Sequence, residues 1–168
     1  MTEWISLRAF VDGEPVAWTA AVDYHEDAGW EDAWRLTIES ASAVECEASG
    51  ADLFEALRRA RGHLEPRDIR LCCNGARIDA WPSRQAREHG AWVVYITRLW
   101  LPPTVRDLVS VFGLADAERI GTVAEQDEFH ARHLANRKHW FNFVNPLWWI
   151  FLYTSSWGRP KSLKPPFA

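Results

Sequence analysis

The chain has 168 residues, 48% hydrophobic and 25% charged, which excludes a disordered or collagen-like polymer and supplies enough apolar surface for one ordinary domain. Three cysteines, two of them adjacent (Cys72 and Cys73), offer neither a disulfide framework nor paired zinc-ligand spacing, and fit a reducing cytosol. The net charge of −4 hides two opposed parts: residues 1–56 hold 13 acids against Arg8 and Arg35, a balance of −11, and the remainder carries +7. The start, Met1-Thr2-Glu3-Trp4, is acidic and alternating, unlike a signal peptide.

Residues 4–11 alternate, with Ile5, Leu7, Ala9 and Val11 on one side, and residues 16–24 alternate through Val16, Trp18, Ala20, Val22 and Tyr24. Both patterns predict strands with one buried face, joined as a hairpin by Asp12-Gly13-Glu14-Pro15. Residues 23–32 form an acidic loop. Strands at 34–39 and 43–48 follow, turned by Ser40-Ala41-Ser42.

The period then changes from two to 3.6. Leu53, Leu57, Ala60 and Leu64 share one helical face over 52–64, with Arg58, Arg59 and Arg61 elsewhere. Ser49 or Asp52 caps its start, Asp52–Glu55 has capping-box spacing, and Pro66 ends it. A strand over 68–73 leads into Asn74-Gly75, a favoured type I′ turn, with 76–81 returning. Pro82-Ser83 opens a short helical turn that Gly90 ends, and 92–99 reads as a strand.

Val105, Leu108, Val109 and Phe112 sit at helical spacing, with Thr104 as cap, Asp107 completing the box and Gly113 as stop, so a helix is expected there. Thr122-x-x-Glu125 opens another helix of about 123–138, whose weak apolar stripe predicts packing at an edge. The expected organisation is an α+β domain over 1–137, an antiparallel sheet built from hairpins with helices mainly on one face. An aromatic and basic tail follows over 138–168. The run from Trp140 to Tyr153 is too short and too interrupted, by Asn142, Asn145 and Pro146, to span a bilayer, and is expected to pack against protein.

Few constellations carry chemistry. His130 and His133 are three apart on one helix but lack a third strong ligand at helical spacing, so they read as solvated. Cys72 and Cys73 on a strand point to opposite faces, one buried and one exposed. The arginines of 58–77 are interleaved with Glu65 and Asp68 and read as a solvated face. There is no phosphate loop, HExxH or GxSxG, and no cofactor is implied.

Three segments carry a resemblance: Cys73-Asn-Gly-Ala-Arg77, then Trp81-Pro-Ser83, then Tyr95. With Asp52–Leu57, Asp107–Phe112 and Thr122–Phe129, they are similar to a family of small bacterial proteins with a Cys-Asn-Gly-Ala and Trp/Tyr-Pro-Ser pattern, over about residues 1–137. After Ser83 this chain departs from the family's usual Gly-Met-x-Arg-x-Met-Gly, reading Arg84-Gln-Ala-Arg-Glu-His-Gly90. The resemblance implies an immunity protein of Rhs-type or other polymorphic toxin systems.

On that reading the partner is a cognate toxin domain, a nuclease being the natural fit, bound in the cytoplasm. An acidic surface attracts a basic protein and repels nucleic acid. The acids are Asp23, Glu26, Asp27, Glu31 and Asp32, and the anchors are Tyr24 and Trp30. Two alternatives stand beside it: an enzyme with a cleft near Cys73, Asn74 and Arg77, and a membrane-surface adaptor using the aromatic tail.

Overall fold

The computed structural model describes residues 2–99 and 103–137, together with Ile150; the aromatic tail expected over 138–168 lies otherwise outside the described residues. β1 (Glu3–Val11) and β2 (Glu14–Tyr24) pair antiparallel from Glu3 opposite Val22 to Val11 opposite Glu14. The two residues between them, Asp12 and Gly13, have φ of 51° and 83°. Positive φ at both turn residues is what a tight hairpin of right-twisted strands requires, and Asp-Gly tolerates it.

β3 (Trp34–Glu39) and β4 (Val44–Gly50) extend the sheet, and β5 (Ile69–Leu71) closes it beside β1. The order is β4-β3-β2-β1-β5, antiparallel throughout. One face is apolar: Leu7, Ala9, Trp18, Ala20, Val22, Leu36, Ile38, Ile69 and Leu71 are all buried.

α1 (Leu53–Leu64) covers that face. Asp52 caps it, accepting a hydrogen bond from the Glu55 N–H at 2.8 Å, an interaction of about 1 kcal/mol. Leu53, Phe54, Leu57 and Leu64 are wholly buried, each contributing about 1.5–3 kcal/mol through burial. The fold is therefore α+β, hairpin-built, with the main helix on one face.

The strand β4 is an edge, and two arginines cover it. Arg67 Nη1 donates to the Glu45 carbonyl at 3.2 Å, and Arg59 Nη1 donates to the Ser49 carbonyl at 2.9 Å. An edge carbonyl held by a guanidinium is no longer free to template a foreign strand.

A second, three-stranded sheet has the order β6-β7-β8, from β6 (Ala80–Trp81), β7 (Val93–Ile96) and β8 (Leu108–Ser110). The short helix α2 (Arg84–Glu88) bridges β6 and β7, capped by Ser83, which accepts from the Ala86 N–H. α3 (Val123–Arg137) starts from a Thr122–Glu125 capping box, and Glu65 accepts from the Val123 N–H at 3.0 Å.

Four expectations are corrected. Asn74-Gly75 does not make a type I′ turn: Asn74–Ala76 is a 3-10 turn, β5 pairs with β1, and the short β6 pairs with β7. Gly75 is needed for space instead, since a Cβ there would sit 2.5 Å from Leu57 and 2.6 Å from Val111. The helix expected after Thr104 is a single 3-10 turn, Val105–Asp107, running into β8. Its capping box forms, but a β-branched run beside an open β7 is taken into the ladder. Cys72 and Cys73 are both buried, because this segment is covered on both sides: the Cys72 thiol meets the Ala115 carbonyl, and Cys73 lies in the main core. Arg61 lies on the buried face of α1, not the solvated one.

Candidate functional site

The residues expected to bind a partner lie on one surface, the connection from β2 to β3. Asp23 and Tyr24 are the last two residues of β2, and Asp23 accepts from the Thr2 hydroxyl. Glu26 and Asp27 begin a 3-10 turn, Glu26–Ala28, and Gly29 follows with a φ of 77°. The loop is closed by the His25 N–H donating to the Ala33 carbonyl at 2.8 Å. Trp30 is 75% exposed and Tyr24 is 52% exposed. Glu26, Asp27, Glu31 and Asp32 are all exposed, and Asp32 is paired with Arg59 Nη1 at 2.7 Å. Arg59 thereby ties the loop to α1 and to the edge of β4. Tyr24 leans on Trp34, ring centroids 5.0 Å apart, while Trp30 is the more open of the two expected anchors.

A second place gathers side chains that sequence reasoning set aside. The His130 ring stacks on Trp81 at 3.7 Å with planes 7° apart. Phe54 meets Trp81 edge-on at 5.5 Å, and the guanidinium carbons of Arg58 and Arg87 lie 5.1 and 5.8 Å from its ring. His133 is buried, its Nδ1 2.6 Å from the Arg98 carbonyl. A cleft of about 450 Å³ opens here, walled by Trp81, Ser83, Tyr95, Thr97, Thr104 and the two histidines. Burial, with the nearby His133 and Arg87, pushes His130 down to about 4, so its ring is neutral near pH 7. Its Nδ1 is buried without a hydrogen-bond partner among the described residues.

These histidines are not solvated, and the reason lies in how α3 packs. Its inward positions, the buried Gln126 and His133 and the half-buried His130, follow helical spacing but are polar. Gln126 is wholly buried and its amide reaches the carbonyls of Gly75, Arg77 and Ala80 at 3.0, 2.7 and 3.2 Å. Its Oε1 accepts from Arg61 Nη1 at 2.8 Å, and Arg61 also donates to the carbonyls of Gly75 and Gly121. The 74–80 backbone has little ladder of its own, so side chains of α1 and α3 satisfy it. A search for apolar periodicity misses such a stripe; the signal was the spacing itself, read without regard to polarity.

Cys73, Asn74 and Arg77 belong to this framework. Cys73 is wholly buried, and burial raises its thiol to about 11, which keeps it protonated and unreactive near pH 7. Asn74 Nδ2 donates to the Ser110 carbonyl at 3.0 Å, and its N–H donates to Gly113. Arg77 is held by both oxygens of Asp79 at 2.8 Å. Asn74 joins the segment to β8, Arg77 is spent on Asp79 and Cys73 is in the core, so the three do not face one cleft together. No group of three or more His, Cys, Asp or Glu side chains among the described residues is placed to share a metal ion. No helix among them is long and apolar enough to cross a membrane.

Neither a protein-family model nor a curated protein matches the chain in sequence.

Proposed function

We propose that the chain is an immunity protein that binds a cognate bacterial toxin domain in the cytoplasm and occludes it, using the 23–32 loop. The observation that carries this reading is Trp30, three-quarters exposed in a loop whose neighbours are Glu26, Asp27 and Glu31. A large aromatic left in water amid carboxylates costs solvation until a partner covers it, and aromatic anchors ringed by charge are typical of binding hot spots. The resemblance through Cys73–Arg77, Trp81–Ser83 and Tyr95 supplies the toxin class, and a nuclease, whose substrate groove is basic, fits the charge. An interface of ordinary size hides about 800 Å² per partner, more than the loop alone presents.

Co-purification with the product of the adjacent gene tests the pairing, and association kinetics at two salt concentrations test the surface. Asp27 and Glu31 are the charges to reverse, since Asp32 is already paired with Arg59. D27K/E31K slows association, and wild-type association slows with salt. Trp30→Ala speeds dissociation, by about 2 kcal/mol or more for a central anchor. If no neighbouring gene product binds at micromolar concentration, the immunity reading fails. If one binds and ignores these changes, the loop is not its interface.

A further inference from the structure

α1 covers one face of the large sheet; on the other, Trp4, Ser6, Ala17, Thr19 and Glu47 are exposed. Trp4 is the one large apolar side chain among these, 58% exposed. Its place in the ladder explains why. It stands directly opposite Ala21, and its next neighbours on that face, Ser6, Thr19 and Asp23, are small or charged. None is large enough to cover an indole. One exposed tryptophan is ordinary, but several exposed aromatics at one place mark a contact surface. Trp4, Tyr24 and Trp30 are the only exposed aromatic side chains among the described residues, and all three lie at one end of this sheet. Ala21, opposite Trp4, precedes Asp23 by about 7 Å of strand. The Thr2 hydroxyl donates to the Asp23 carboxylate, which ties the start of β1 to the start of the loop.

The three aromatics point different ways. Trp4 shares the helix-free face with Asp23. Tyr24, one residue on, turns to the other face, where its ring meets Trp34. Trp30 lies in the loop beyond both strand ends. The end of the sheet is therefore a wedge, with an aromatic on each side and a third past its edge. Its charge has one sign. Residues 2–4, 21–35 and 47–50, which form this end, hold seven acids against Arg35, and Arg35 is paired with Glu47. Arg59, reaching in from α1, is paired with Asp32 and Glu55. Arg8 lies on the same face as Trp4 but about 13 Å further along β1. That charge selects the occupant. A second copy would set acids against acids, and a nucleic acid would be repelled in the same way, whereas a basic protein is attracted.

We infer that Trp4 is a second anchor for the partner of the 23–32 loop, and that this partner receives the end of the sheet in a basic hollow reaching both faces. The inference rests on the toxin-binding reading of the loop and extends it. The loop alone is smaller than an ordinary interface, and the helix-free face beside it supplies the remainder.

The test uses the full chain and the product of the adjacent gene. Trp4→Ala is expected to speed dissociation of the pair about tenfold or more and to change association less than about twofold, as loss of an uncharged anchor does. Val44→Ala, equally exposed but at the opposite end of the sheet, is expected to change neither rate. In the unsubstituted chain carrying 5-fluorotryptophan, the Trp4 and Trp30 signals are expected to shift together on binding, which holds whether or not Trp4→Ala folds. If Trp30→Ala weakens binding while Trp4→Ala does not and the Trp4 signal stays in place, the loop is the whole anchor: the inference fails and the immunity reading stands. If Val44→Ala weakens binding as much as Trp4→Ala, the effect is not local and the inference fails as well. Self-association of the chain alone, abolished by Trp4→Ala in sedimentation, would assign this face to a second copy instead. If no neighbouring gene product binds at micromolar concentration, the immunity reading fails and the inference falls with it.

Discussion

Gln126→Leu is expected to be among the most damaging single changes in the chain, although it puts an apolar side chain of similar volume into a buried site. The amide it removes bridges three carbonyls of an irregular segment and accepts from a buried arginine. Losses are partly cushioned: the Arg77 carbonyl still accepts from the Ala80 N–H, and Arg61 keeps Gly75 and Gly121. What remains is one charge-assisted bond, worth about 1.5–3 kcal/mol, and one or two neutral ones at about 1 kcal/mol each. The expected cost is about 3–4 kcal/mol, a large share of the roughly 5–15 kcal/mol that holds a domain together. Urea unfolding followed by circular dichroism measures it, with the m-value unchanged if the native fold survives. Gln126→Glu keeps a partner for Arg61 but turns a donor into an acceptor facing carbonyls, so it should not rescue. A loss under about 0.5 kcal/mol for Gln126→Leu, the size of a surface change, would refute the account of how this backbone is satisfied.

Leu57 is wholly buried beneath the sheet and against Gly75, so Leu57→Ala should cost about 2–5 kcal/mol in the same melts. All three cysteines are buried and protonation is favoured at each, so native protein at pH 8 should react with Ellman's reagent only as fast as it unfolds; one thiol reacting within the mixing time would contradict this. His130 has a folded value of about 4 against 6.5 in the unfolded chain, so the fold resists protonating it; stability is complete above pH 6.5 and declines as pH falls toward 4. His130→Phe keeps a ring on Trp81, and its stability should fall less over that window than the wild type's, with Asp127, Arg58, Arg87 and His133 unchanged around it.

The large sheet was legible because its residues obey one rule. Leu7, Ala9, Trp18, Leu36 and Ile38 alternate with exposed or half-exposed neighbours, and α1 announces itself with Asp52 and a stripe through Leu57 and Leu64. From Cys73 onward the rule changes. The second half is held by polar groups reaching backbone: Asn74 to Ser110, Gln126 to Gly75, His133 to Arg98. Those bonds join positions dozens of residues apart and leave no periodic trace, which is why the 76–81 strand shrank and the 105–112 helix became a strand. The loop at 23–32 was legible as exposed because its run of carboxylates resists burial and holds Trp30 out with it. The Trp81–His130 cleft was not, because a histidine stacked on a tryptophan has the same letters as one in water.

The arginines over the β4 edge also bear on the order in which this chain is made. β4 ends at Gly50, and its two guards, Arg59 and Arg67, follow within α1 and the turn behind it. A chain leaving the ribosome thus carries the cover for its β4 edge within the next seventeen residues, long before Gln126 and the rest of α3 are synthesised. The first four strands and α1 can close against one another and shut their edge while the second half is still being translated. The interval in which nascent copies on one message could pair edge to edge is correspondingly short.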